Sequence, residues 1–177
     1  MRATTLPAFV LPYFLRSRER YLLVELARQT LSLVSESSPV SRYPVSTALA
    51  GPGERAGSEA TPRGWHIIRA KIGAQQPPGT VFRGRRPTGE IYTAELGRRF
   101  PERDWILTRI LWLSGLEVGR NRLGSVDTMR RYIYIHGCPD EAPVGIPRSH
   151  GCIRMRNRDV VELFDQVEAY TPVLVLE

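Results

Sequence analysis

Between residues 20 and 47 apolar and polar positions alternate in short runs separated by polar turns. Leu22, Val24 and Leu26 alternate with Tyr21, Leu23 and Glu25; Leu31 and Leu33 alternate with Ser32 and Val34; a third run surrounds Tyr43, Val45 and Thr47. A period of two over short runs predicts an antiparallel meander. Residues 50–64, rich in Gly, Pro, Ser and charge, read as a loop. A strand follows at residues 65–73, with Ile67, Arg69 and Lys71 on one side and His66, Ile68, Ala70 and Ile72 on the other. Residues 74–124 carry QQPPGT, RGRRPTGE and GRRFPERD, and read as long excursions around one buried strand at 108–113. Excursions this long in a compact domain commonly serve as lids or binding surfaces.

The C-terminal third is more regular. RRYIYIH predicts a strand with Tyr132, Tyr134 and His136 on one face and Ile133 and Ile135 on the other. NRDVVELFDQV predicts a helix: Asn157 can cap it, Asp159 lies in its first turn, and Val160, Phe164 and Val167 recur at helical spacing. TPVLVL predicts a last short strand. The fold class is therefore mainly β, with one helix near the C-terminus.

The 177 residues fit one domain, and an apolar share of 42% with 8% aromatics excludes global disorder. The net charge of +7 is carried almost wholly by arginine, Lys71 being the one lysine. A basic surface suits nucleic acid, an anionic lipid head group or a cell-wall polymer, and equally a merely solvated arginine-rich surface. No apolar run is long enough to span a bilayer. Residues 1–19 read as an N-terminal arm rather than a clear signal peptide. Pro7 and Pro12 interrupt their apolar patch, and a small-x-small cleavage site is missing.

The chemistry is concentrated in IYIHGCPDEAPVGIPRSHGCIRM, where His-Gly-Cys occurs at 136–138 and again at 150–152. These hold both cysteines of the chain and two of its three histidines. Two His and two Cys are an acceptable zinc set, but structural sites usually space paired ligands by two to four residues. A disulfide would close a short loop containing three prolines, and only geometry decides it. A nucleophilic cysteine needs to become a thiolate, and a free thiol with a pKa of about 8.5 is mostly protonated at neutral pH. A histidine base, or a turn whose N–H groups face the sulfur, solves this. Cys138 is followed by Pro139, which supplies no N–H. Cys152 follows Gly151, which permits a tight turn and close substrate approach, and it precedes a helix. Cys152 is the better nucleophile, unless it is a buried packing residue; either neighbouring histidine can serve as base.

SHGCIRM after an upstream IHG resembles the YkuD-type L,D-transpeptidases, bacterial peptidoglycan enzymes with a catalytic cysteine. RYLLVELARQTLSLV, YPVST, TPRGWHI, YIYIHG and TPVLV resemble the same domain in the expected order, so the likeness covers residues 20–177. It implies a β-sandwich with one C-terminal helix and long loops forming a flap over the active-site cleft. It implies Cys152 as nucleophile and His136 as base, the latter oriented by a main-chain carbonyl, that of Gly137. Ser149, His150 and Gly151 would shape the oxyanion and substrate-binding region, and Arg154 would meet a substrate carboxylate or hold the loop. His66 would be an ordinary strand residue. The resemblance further implies peptidoglycan stem peptides as partners, no nucleic acid, no metal or organic cofactor, and a place in the cell envelope; the sequence does not fix the oligomeric state, for which a monomer is the expectation. Attack at an L–D peptide bond through a Cys152 thioester would lead to cross-linking or, with water, to carboxypeptidase activity. Some members act at the L-Ala–D-Glu bond instead. The rival is a non-catalytic wall-binding module on the same fold. Two departures stand out. The His136-to-Ser149 separation is short, which predicts a compact flap, and Cys138 falls where a small polar residue such as Thr is usual.

Overall fold

The computed structural model describes residues 6–36 and 38–177. Residues 1–5 of the expected arm, and Ser37 within the expected meander, lie outside the described residues. β1 (Arg20–Glu25), β2 (Thr30–Ser35) and β3 (Ser38–Pro44) form the antiparallel meander read from their alternation. β3 begins earlier than expected and ends at Pro44, so Val45 and Thr47 lie beyond it. β1 is joined in parallel by β10 (Pro172–Leu176), which pairs with β4 (Gly64–Ile72), and β4 with β7 (Ile106–Gly115).

Residues 74–124 hold more regular structure than the long excursions around one strand that were expected. They hold a hairpin of β5 (Thr80–Arg83) and β6 (Arg86–Ile91), then α2 (Ala94–Arg99), and β7 is longer than the strand expected at 108–113. α2 is capped by Thr93, whose Oγ1 accepts the Leu96 N–H at 3.1 Å. Where β4 ends, β5 takes its place against Leu107 and Ile106 of β7. The other edge of β7 carries β8 (Tyr134–Cys138), which pairs in parallel with β9 (Ile153–Arg156). β8 starts two residues later than the face that was read to include Tyr132, because Tyr132 has φ 57, a conformation that breaks a strand.

The ten strands form one curled sheet. Its inner face and the apolar stripe of α3 (Asn157–Gln166) enclose the main core: Leu22, Leu31, Leu33, Leu111, Ile135, Ile153, Met155, Leu163 and their neighbours. Asn157 does not cap α3. Arg156 holds the cap position, and Asn157 instead donates Nδ2–H to Cys138 O (3.0 Å) and accepts from Thr108 Oγ1. The N-terminal arm adds a short helix, α1 (Leu11–Arg16), beyond the single helix expected. Among the described residues no helix is long and apolar enough to cross a membrane.

Candidate active site

Residues two apart on a strand share a face. In the β8–β9 pair Ile135 lies opposite Ile153, and His136 opposite Arg154. Ile135, Ile153 and Met155 enter the core. Tyr134, His136 and Cys138 therefore share the opposite face with Cys152 and Arg154. The two His-Gly-Cys triplets meet across a strand pair, a juxtaposition their separation in sequence does not reveal.

A bulge in β7 fixes the floor. Leu107 pairs with Gly137 and Ile110 with His136, so Thr108 and Arg109 are extra residues, and Thr108 has φ 71. The bulge presses Leu107 O and Asn157 Oδ1 to 2.7 and 2.6 Å from where a Cβ on Gly137 would stand. Only glycine fits there.

His136 is fully buried, and its Nδ1–H donates to the Gly137 carbonyl at 2.8 Å. Its Nε2 is buried with no hydrogen-bond partner among the described residues. With the proton fixed on Nδ1, Nε2 carries a free lone pair, as a general base requires. Burial holds the imidazole below the usual histidine range; Asp104 and the Gly137 carbonyl oppose this, and Arg154 adds to it.

Cys152 ends a tight turn. Ser149 Oγ–H donates to Cys152 O at 2.5 Å, and the Gly151 N–H donates back to Ser149 Oγ at 3.2 Å. Thr61 Oγ1–H binds Gly151 O at 2.9 Å. Gly151 has φ +126, where a side chain would be strained, and a Cβ there would lie 3.1 Å from Ile133 Cδ1. The half-buried Sγ accepts the Tyr134 N–H at 3.3 Å and lies 3.5 Å from Tyr132 O. This is the pattern of a neutral thiol, donor to one group and acceptor from the other. Burial pushes the thiol up to about 12, Asp104 adds to the rise, and the Tyr134 N–H, Arg154 and Arg131 oppose it. Here the apolar wall outweighs the cationic neighbours.

Cys138 is buried and donates Sγ–H to Met155 O at 3.2 Å, and burial pushes its thiol up to about 11. Both cysteines are free thiols, so the disulfide alternative is not realised. His150 is exposed and stands between two clefts of about 300 Å³ each. One cleft includes Asp104, Trp105, Cys138 and Arg154; the other includes Asp127, Arg130, Arg131 and Ile133. Arg154 pairs with Asp104 at 2.7 Å and donates to Arg148 O at 3.3 Å, so of its two expected roles it is placed for holding the loop. His66 lies apart, buried between Gly64 O (3.0 Å) and Thr128 Oγ1 (3.1 Å). Among the described residues no three His, Cys, Asp or Glu side chains converge as a ligand set.

Sequence reasoning missed Asp104 and Arg131. Arg131 donates to Gly53 O, Glu54 O, Ser58 Oγ and Ala60 O, tying the loop of residues 50–64 to the segment that leads into β8. Its acceptors are mostly carbonyls, which have no sequence signature.

The model of the L,D-transpeptidase catalytic domain family, YkuD, matches residues 19–175. Among solved structures, the chain is similar to an L,D-transpeptidase from Mycobacterium smegmatis (16% identity, TM-score 0.53, 90% of this chain and 59% of that one). It is similar to the Xylanimonas cellulosilytica L,D-transpeptidase (19%, TM-score 0.56, 89% and 60%). It also resembles L,D-transpeptidase 3 from Mycobacterium tuberculosis, solved with a faropenem-derived adduct (16%, TM-score 0.55, 89% and 60%). This chain spans about 60% of the length of these structures, and at such identities the likeness bears on the fold alone. No curated protein matches the chain. A family match running unbroken from residue 19 to residue 175, over a curled sheet of the same kind, makes this chain a member of the L,D-transpeptidase catalytic domain family.

Proposed function

We propose that the protein is a cysteine-dependent acyltransferase acting on peptidoglycan stem peptides in the cell envelope, with Cys152 as nucleophile and His136 as base. One observation carries this reading: His136 Nε2 is buried without a partner, while Nδ1 is anchored to Gly137 O, on the sheet face shared with Cys152. A buried polar atom left unpaired is costly unless something is meant to meet it.

The reaction begins from a neutral pair. The thiol is held protonated by burial, so its proton passes to His136 Nε2 as sulfur attacks the carbonyl on the L-centre side of an L–D bond. The N–H groups of His150 and Cys152, on either side of the Gly151 N–H that Ser149 occupies, stabilise the oxyanion. The new imidazolium keeps its Nδ1–H bond to Gly137 O, and the Asp104 field favours it. The imidazolium then protonates the departing D-amino acid, leaving a Cys152 thioester. An incoming amine, or water, loses its proton to Nε2 and releases the product. Ser149 and Gly151 act by holding the turn.

The raised thiol lends some support to the rival, a binding module with an idle cysteine. Incubation of the chain with purified muropeptides, read by mass spectrometry, separates them. The proposal expects D-amino acid release and cross-linked or trimmed products, all lost in Cys152→Ala. Binding without any product overturns it.

A further inference from the structure

The β5–β6 hairpin turns through Gly84 and Arg85, both at positive φ (55 and 67). Such two-residue turns favour Asn and Gly, so a long cationic side chain there is a local conflict. The side chain has a definite place. Its guanidinium lies 4.3 Å from the centre of the Trp112 ring and 5.1 Å from that of Tyr132, and Nη1 donates to Tyr134 Oη at 2.9 Å. The three rings form one wall: Trp112 is stacked with Tyr132 and edge-on to Tyr134. This wall belongs to the nucleophile. The Tyr134 amide donates to Cys152 Sγ, and the Tyr132 carbonyl lies against it.

Three arginines border the residues that hold Cys152, and two are already engaged. Arg154 is bound to Asp104 and Arg148 O. Arg131 is bound by four acceptors of the loop at residues 50–64. Arg85 spends one N–H on Tyr134, and its other donors meet no acceptor among the described residues. Stacked on Trp112, the guanidinium keeps its planar edge free, the geometry that takes a carboxylate through two parallel N–H bonds. The rings shield one side from water and fix the group before binding.

We propose that Arg85 is a specificity residue that binds a carboxylate of the acyl donor, at the far end of the Tyr134 ring and so several bonds from the carbonyl that Cys152 attacks. The carboxylate role once open to Arg154 passes to Arg85. The inference rests on the stem-peptide reading above for the identity of the donor. The plain rival is that Arg85 only latches the hairpin onto the sheet.

The test measures binding, on the Cys152→Ala protein so that nothing turns over. The probes are a stem tetrapeptide with all carboxylates free and versions amidated at one carboxylate at a time. One amide should bind about 10–100-fold more weakly than the free acid, the usual worth of a charged hydrogen-bonded contact. Adding Arg85→Ala should weaken the free acid to that level and abolish the difference, and Arg85→Lys should restore part of it. Equal weakening of acid and amides by Arg85→Ala would reduce Arg85 to a latch and overturn the proposal. So would a preference that survives the substitution, or no binding of any form. The proposed reaction is judged separately, by acyl-enzyme formation on the chain with Cys152 intact.

Discussion

His136-Gly137-Cys138 and His150-Gly151-Cys152 share three residues and almost nothing else. The first triplet ends a strand: its histidine is fully buried and oriented by its neighbour's carbonyl, and its thiol is spent on Met155 O. The second forms a turn: its histidine is exposed between two clefts, and its thiol is half-buried, held between an amide and a carbonyl. Each triplet contributes the half that its backbone suits. On the proposed reading, a strand buries the base and fixes its tautomer, and a turn presents the nucleophile. The glycines differ in the same way. Gly137 is needed because main chain crowds it, Gly151 because its φ is positive.

Substitutions break this comparison most sharply at the reacting atoms. Cys152→Ala should abolish turnover on muropeptides with the fold retained, as checked by thermal melting. Cys138→Ala should remain active, and the reverse outcome would reassign the triplets. His136→Ala should slow acyl-enzyme formation by about 10²–10⁴-fold, the usual scale for a general base. His150→Ala should fall well short of that in the same single-turnover assay, since its ring is not fixed.

Acid bears on the two buried histidines. Burial lowers His66 from 6.5 to about 4, and His136 is lowered for the same reason. A histidine depressed in the folded state stabilises fully above its unfolded pKa and loses that contribution as pH falls. Stability should therefore drop between pH 6.5 and 4, by roughly 3 kcal/mol for His66. Urea midpoints across that window check this, and His66→Gln should flatten the slope. Gly137→Ala should cost about 1–3 kcal/mol by overpacking against Leu107 O. Cys138→Thr, in a position where the buried thiol already donates to a carbonyl, should cost only about 1 kcal/mol in the same midpoint assay.

Much of this architecture was legible in the sequence. Period-two runs located β1, β2, β4 and β10, and helical spacing located α3. The two triplets identified the side chains that the sheet brings together. What remained hidden depends on pairing. The hairpin of β5 and β6 lies in a Gly-, Pro- and Arg-dense stretch without apolar alternation. Thr93, just ahead of a helical run with Glu95 in its first turn, is a cap signal for α2. The positive φ of Tyr132, the reach of Arg131 and the bulge at Thr108 have no pattern in sequence. The raised thiol of Cys152 follows from the wall of Tyr134, Phe82 and Ile110 that it packs against, and these come from three separate strands.

The central claim is that the nucleophile of one triplet works with the base of the other. The most direct test is acylation by a carbapenem at neutral pH, followed by intact mass and peptide mapping, in the parent and in His136→Ala. The parent should gain one inhibitor mass, mapped to Cys152, because its opened ring carbonyl forms the thioester. His136→Ala should gain it far more slowly, while His150→Ala gains it at close to the parent rate. An adduct on Cys138, or labelling of Cys152 at an unchanged rate without His136, would contradict the account.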